Sequence, residues 1–322
     1  MKKLSVLVPS GDSNLISIVT TYNLFLKANE RFQSLGRPPV FQVRLVGCSA
    51  EEDVFGGLFC IRPHESFQAV RRTDLMIIPA TREEFGPYLK KNKPLAEWIT
   101  RQYKLGAEIA SLCTGAFLLA STGLLKGRKC STHWMAASSF RELFPDVRLM
   151  EDRLITAEKG IYTNGGGFSF LNLLLYLIEK YYDRETAIYC SKVFEIEMDR
   201  NTQSPFIIFT GQKGHGDQAI QDAQLYMERH AGEEISVDDL ASRVGVGRRN
   251  FDRRFRKATA NTPAEYLQRV RVETAKKCLE TGRETVAEIM YSVGYSDSRA
   301  FRRTFKRVTG LSPVEYRGRF TH

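Results

Sequence analysis

The last hundred residues of this chain write the same pattern twice. Phe251, Arg253, Phe255, Thr259, Pro263, Glu265 and Tyr266 recur fifty positions later as Phe301, Arg303, Phe305, Thr309, Pro313, Glu315 and Tyr316. Upstream, with a one-residue slip, Ser236-Val237, Leu240, Val244 and Gly245 match Thr285-Val286, Ile289, Val293 and Gly294. Identities held in one register at a fixed period mark a duplicated supersecondary unit. Two copies are too few to stack a solenoid. Each copy instead reads as a helix, a tight turn and a second helix, with Gly245 and Gly294 supplying the turns. Beyond Gln218 nothing reads as a strand.

The second helix of each copy has two faces. Phe251 and Phe255 stand four apart and share the core side. At about 100° per residue, Arg249, Asn250, Arg253, Arg256 and Lys257 point largely the other way. In the second copy Phe301 and Phe305 turn inward, Arg299, Arg303, Lys306 and Arg307 face outward, and Arg302 lies on the flank. From Arg248 to Lys257 there are six cations and one acid, Asp252; from Arg299 to Arg307 there are five cations and no acid. An ordinary solvated face mixes signs with i,i+4 partners. Two unmixed basic faces at equivalent places predict a double-stranded DNA operator as partner, because Lys and Arg release counterions at phosphates and Arg bridges guanine edges. The predicted contacts are Arg248, Arg249, Asn250, Arg253, Arg256 and Lys257 in one copy, and Ser298, Arg299, Arg302, Arg303, Lys306 and Arg307 in the other. A connector from Pro263 to about Glu280 carries Pro263 in its first turn, Glu265 at its positive end and an apolar stripe of Leu267, Val270 and Ala275. One such rigid unit would read two adjacent half-sites about one DNA turn apart. The net charge of +10, from 47 Lys plus Arg against 37 Asp plus Glu, suits a polyanionic partner.

The 322 residues suggest two domains. An apolar fraction of 43% with 26% charged residues excludes a disordered or low-complexity chain. Ahead of the helical segment the pattern alternates. Leu4 to Pro9, Phe41 to Gly47, Leu75 to Pro79, Ala107 to Leu112 and Ile161 to Asn164 read as buried strands. Leu15 to Asn29, Pro94 to Tyr103 and segments starting near Ala116, Trp134, Phe168 and Arg184 read as helices. That alternation predicts a mostly parallel sheet covered on both faces. The pattern fails in a turn-rich stretch, so the expected division is a domain over 1–199, a linker over 200–217 and a helical domain over 218–322, with the hinge from Asn201 to Gly216. The six cysteines are dispersed without a CxxC pair, which argues against a zinc site or disulfide framework and for reduced cytoplasmic thiols. No metal or cofactor is expected. Leu4 to Val8 resembles a signal peptide for five residues before Pro9, Ser10, Gly11 and Asp12 end the run, so it reads as a first strand. Phe168 to Ile178 falls far short of the ~20 residues of a membrane span, and no membrane partner is expected.

One junction in the α/β region stands apart. The strand Ala107 to Leu112 runs into Cys113-Thr114-Gly115-Ala116-Phe117, a turn that would expose the Cys113 side chain at a helix start. Such a helix start would lower the thiol pKa and offer N–H groups to an anion. His133 opens a later helix and could reach the same sheet edge, the arrangement of a cysteine nucleophile with a histidine partner. Equally, a cysteine after a buried strand fills a core and a histidine at a helix start caps it.

Residues from about Ile220 to Phe320 resemble the AraC/XylS-type DNA-binding domain. The likeness rests on Pro263-Ala264-Glu265-Tyr266, on Val293-Gly294-Tyr295 followed by Phe301-Arg302-Arg303-Thr304-Phe305-Lys306-Arg307, and on Thr309 through Arg317. It implies a bacterial transcriptional regulator in which the first helix-turn-helix carries more of the sequence choice. Cys113 through Ala120, Gly123 through Arg128 and Thr132-His133-Trp134 resemble the class I glutamine-amidotransferase-like fold of the PfpI type, and in particular the GlxA-type regulators that join it to an AraC-type domain. That resemblance spans roughly residues 4 to 195 and takes in Thr163-Asn164-Gly165-Gly166-Gly167 and Gln203-Ser204-Pro205-Phe206. It implies an α/β flavodoxin-like sandwich followed by an all-α tandem helix-turn-helix domain, and a homodimer. It also implies a ligand pocket at the carboxyl ends of the strands, lined by Cys113, Thr114, His133 and Ser17. Enzymes of the superfamily place an acid on the first helix, whereas Ser17 and Asn23 stand where such regulators usually show Asp and Glu. Thr114, not histidine, follows Cys113, so proton shuttling there lacks its partner. The expectation is a regulator without catalytic residues, controlled by a small-molecule effector, with RNA polymerase as a further partner. The competing expectation is a cysteine-dependent hydrolase or hydratase with an attached DNA-binding domain.

Overall fold

Leu4, Val6, Leu7 and Val8 are all fully buried, the continuous run that a parallel strand covered on both faces requires. In the computed structural model, which describes residues 1–198 and 202–321, they form β1 (Lys2–Val8) at the heart of a seven-stranded sheet. The chain divides between Gln203 and Ser204 into two compact units.

The first unit holds β2 (Phe41–Gly47), β3 (Glu52–Val54), β4 (Phe59–Ile61), β5 (Glu65–Ser66), β6 (Leu75–Ile78), β7 (Glu108–Ser111), β8 (Lys129–Cys130), β9 (Arg148–Leu149), β10 (Ile155–Glu158) and β11 (Ile161–Asn164). Its helices are α1 (Leu15–Ser34), α2 (Phe85–Lys91), α3 (Lys93–Lys104), α4 (Ala116–Ser121), α5 (Ala137–Leu143), α6 (Phe170–Tyr181) and α7 (Arg184–Val193). The main sheet runs β10-β11-β7-β6-β1-β2-β5. Every neighbouring pair in it is parallel except β10 with β11. Alternate side chains of β1 divide between two cores, as period two demands. Leu4, Val6 and Val8 pack with Ile18, Phe25, Leu174 and Ala187 from α1, α6 and α7, while Leu7 packs with Tyr88, Trp98, Phe117 and Phe140 from α2 to α5. The expected flavodoxin-like sandwich is therefore present. The sequence reading missed β3, β4, β5, β8, β9, β10 and α2. Each strand among them has two to four residues, too few for a periodic signal.

The second unit is helical throughout: α8 (Gln218–Arg229), α9 (Val237–Arg243), α10 (Arg248–Thr259), α11 (Pro263–Thr281), α12 (Val286–Ser292), α13 (Ser298–Thr309) and α14 (Pro313–Phe320). It has two cores that meet on α11. Leu267 and Val270 join Phe251 and Phe255 in one, and Val272, Ala275 and Leu279 join Phe301 and Phe305 in the other. Gly245 and Gly294 both sit at positive φ, +65° and +77°, in the turns of the two helix-turn-helix copies. No helix among the described residues is long and apolar enough to cross a membrane.

Of the expected linker, residues 200 and 201 lie outside the described residues. Thr202 and Gln203 belong to the first unit, and 204–217 is built into the second. Lys276, buried on α11, donates to the Ile207 carbonyl (2.5 Å) and pairs with Glu273 (2.9 Å), whose carboxylate accepts from the Phe209 N–H (3.1 Å). The Phe209 ring meets Tyr266 edge-on at 5.1 Å. A buried ion pair and an aromatic contact thus strap this segment along α11, where turn-rich composition alone suggested a free hinge.

Candidate nucleic-acid interface and cysteine site

α10 and α13 bury the same face. Phe251, Phe255, Phe301 and Phe305 are each at most 1% exposed. Geometry then drives the remaining positions outward: Arg248, Arg249, Asn250, Arg253, Arg256, Lys257, Ser298, Arg299, Arg302, Arg303, Lys306 and Arg307 are all exposed. Two cations of α10 already hold carboxylates. Arg248 bridges Asp238 (2.9 Å) and Asp252 (3.0 Å), and Arg254 grips Asp217, the N-cap of α8, at 2.8 and 2.5 Å. Arg249, Arg253, Arg256 and Lys257 make no ion pair among the described residues, nor does any cation of α13. Arg253 donates to the Asn250 carbonyl oxygen at 2.8 Å and Arg307 to that of Gln268 at 2.5 Å. These neutral contacts orient the guanidinium groups without cancelling their charge.

Arg271 on α11, which the sequence reading passed over, ties the two copies together. Its Nε donates to the Ala231 carbonyl (2.8 Å) and its Nη2 to that of Glu233 (2.7 Å), while its guanidinium lies 5.5 Å from the Tyr295 ring centre. The first two contacts lie in the loop leading into the first copy and the third in the second copy, so this side chain helps set the spacing between the basic faces.

The four expected pocket residues lie at the carboxyl end of the sheet of the first unit. Cys113 follows β7 with φ at +54°, a conformation costly for a side-chain-bearing residue and often retained at functional sites. Its N–H donates to Asn164 Oδ1 (2.9 Å) and its carbonyl accepts from Thr132 Oγ1 (3.0 Å). Burial raises the Cys113 thiol pKa, and the opposing N–H groups of Thr114 and Gly167 do not offset it. The expectation that a helix start would lower that pKa fails: desolvation of the thiolate outweighs the amide dipoles. The Thr114 hydroxyl is engaged with Thr81, donating to its carbonyl and accepting from its N–H, both at 2.9 Å. His133 caps a turn, its Nδ1 accepting from the Met135 N–H at 3.1 Å, and burial lowers its pKa. Among the described residues no hydrogen bond joins Cys113 to His133. A protonated thiol and a neutral imidazole are the reverse of an activated thiolate–imidazolium pair. Ser17 is buried in the first turn of α1, with its hydroxyl on the Asn14 carbonyl (2.7 Å), and Asn23 is exposed. Asn164, Thr81, Thr132 and Gln203 complete the surroundings of Cys113; the sequence signalled Asn164, Thr132 and Gln203 only as parts of family-like segments, and Thr81 not at all.

Comparison with known proteins agrees with both halves. The DJ-1/PfpI family model matches residues 41–179, and a helix-turn-helix domain model matches residues 240–319. The HTH-type transcriptional regulator GbdR of Pseudomonas aeruginosa is 28% identical over 221 residues, an alignment spanning 68% of this chain and 60% of GbdR. The HTH-type transcriptional regulator GlxA of Rhizobium meliloti is 26% identical over 225 residues, spanning 69% of this chain and 68% of GlxA. In fold, the chain is similar to a THiJ/PfpI family protein from Pseudomonas syringae, with a TM-score of 0.51 at 16% identity, covering 71% of this chain and 86% of that one.

Proposed function

We propose that this chain, a DJ-1/PfpI domain joined to an AraC-type helix-turn-helix domain, is a sequence-specific transcriptional regulator. It works in the cytoplasm as a homodimer, engages a double-stranded operator through α10 and α13, and acts with RNA polymerase. The observation that carries this reading is the pair of exposed basic faces, nine cations of which form no ion pair among the described residues. Cations outside intramolecular ion pairs keep the charge that displaces counterions from phosphates. Relatives named as HTH-type transcriptional regulators support it. The first unit serves as a sensor for a small-molecule effector at Cys113, without turnover, since burial disfavours the charged form of both the thiol and the imidazole.

The test is a gel-shift titration of the full chain against a duplex selected by it from a random pool. Binding should weaken steeply with salt and vanish in a variant carrying Arg249, Arg253, Arg299 and Arg303 as Glu, at unchanged thermal stability. Equal affinity of that variant would overturn the assignment.

A second reading, a cysteine-dependent hydrolase or hydratase, is favoured by the strained φ of Cys113 and by the two N–H groups aimed at its thiol. Turnover of amide, ester or isocyanide substrates by wild type and not by Cys113→Ser would establish it.

A further inference from the structure

The last residue before the second unit is seated inside the shell behind Cys113. Gln203 is 1% exposed. Its Nε2 donates to the carbonyls of Thr132 (3.0 Å) and Glu151 (2.7 Å), and its Oε1 accepts from the Gly166 N–H (3.0 Å). Its own N–H donates to the Asp152 carbonyl at 3.1 Å. Both ends of the amide are therefore used, as burial requires.

Two of these partners, Thr132 and Gly166, lead to the cysteine. Thr132 donates its hydroxyl to the Cys113 carbonyl. Gly166 precedes Gly167, whose N–H faces the thiol. Asn164 accepts the Cys113 N–H and donates to Ser169 Oγ (2.9 Å), which donates back to the Gly166 carbonyl (2.7 Å). The glycines make the seat possible. A Cβ on Gly165 would lie 2.7 Å from Gln203 Cδ, and one on Gly166 would lie 2.0 Å from His133 Cδ2. Backbone packed this tightly against two side chains transmits displacement, because close-packed interiors have no slack to absorb it.

We infer that Gln203 is the positioning residue through which occupancy of the Cys113 site is communicated to DNA binding. The two states are Gln203 seated and Gln203 withdrawn, and one peptide bond joins it to Ser204, where the second unit begins. A group bound at Cys113 that shifts Thr132 or the 164–167 loop favours one state over the other by its differential interaction with the two. The inference rests on the regulator reading above, and linkage makes it reciprocal: DNA must change access to the Cys113 site by the same factor that occupancy changes DNA affinity.

Iodoacetamide serves as the probe, with alkylation of Cys113 followed by peptide mass mapping in the full chain and the exposed Cys60 as internal reference. Saturating the wild type with the selected duplex should change the Cys113 rate, relative to Cys60, by about fivefold or more, the low end of ordinary allosteric coupling. Gln203→Leu, which removes all three amide bonds, should bind the duplex yet lose that difference. Gln203→Glu keeps the acceptor for Gly166 but sets a carboxylate against two carbonyls, and should behave alike; thermal unfolding of both variants establishes that they fold, and if neither does, Thr132→Val cuts the same route at its other end. Wild type that binds the duplex with no change at Cys113 overturns the relay and leaves the regulator reading intact. A DNA effect that survives in the folded variants also overturns it. Wild type that selects no duplex overturns the regulator reading itself.

Discussion

Tyr266 and Tyr316, fifty residues apart, hold the same post in the two helix-turn-helix copies. Each ring meets a recognition-helix phenylalanine edge-on, Phe255 at 5.4 Å and Phe305 at 5.5 Å. Each hydroxyl donates to a glutamate, Glu228 at 2.8 Å and Glu280 at 2.6 Å. The duplication is one of contacts as well as of letters, and it anchors both basic faces from behind.

That anchoring separates two substitutions by magnitude. Phe305→Ala empties a fully buried site and should cost about 3–5 kcal/mol, whereas Tyr316→Phe loses one hydrogen bond, about 1 kcal/mol. Urea unfolding followed by circular dichroism reads both. Similar losses would mean that Phe305 is not packed as described.

The copies differ where their recognition helices end. Gly310 takes the left-handed cap at φ +78°, but Ala260 holds the equivalent place at φ +55°. Ala260→Gly should therefore stabilise the chain by about 0.5–1 kcal/mol, and Gly310→Ala should destabilise it. Melting temperatures moving in the same direction for both would contradict the assigned conformations.

At the turns, Gly245→Ala meets backbone strain alone, since nothing lies within 4 Å of the added carbon. Gly294→Ala adds a contact at 2.9 Å with Arg271 Nη2 and at 3.0 Å with the Gly232 carbonyl. The second change should lower the melting temperature more. It should also weaken DNA binding more, because Arg271 helps space the two copies.

On DNA, Arg253→Ala or Arg303→Ala should cost about 1–3 kcal/mol and relax sequence preference if either reads a base. Lys257→Ala or Lys306→Ala should instead weaken all duplexes alike and lower the magnitude of the salt slope by about 1. Arg248→Ala should change affinity least of the exposed α10 cations, because two carboxylates already hold that side chain. A larger effect at Arg248 than at Arg253 would reverse the ranking.

The pH dependence of Cys113 follows from its raised pKa. The folded thiol is protonated at neutral pH, so its alkylation rate should climb only above the ordinary cysteine range, near 8.5. In urea the burial is lost, the pKa falls back, and the rate at pH 7.5 should rise. A plateau reached below pH 7 in the folded chain would indicate a thiolate and favour the hydrolase reading.

The letters alone determined the duplicated helix-turn-helix, the buried phenylalanines, the outward arginines and the five central strands. Those features follow from periods of 3.6 and 2 that neighbouring residues enforce on one another. Local pattern also placed Cys113 on a turn after a strand. What it could not reach depends on groups far apart in the chain. The direction of the Cys113 shift is settled by how deeply the fold buries the thiol, Arg248 is neutralised by Asp238 from another helix, and Gln203 finds its seat against residues 37 to 71 positions away. Desolvation and long-range pairing are properties of the packed molecule, and only the tertiary structure sets them.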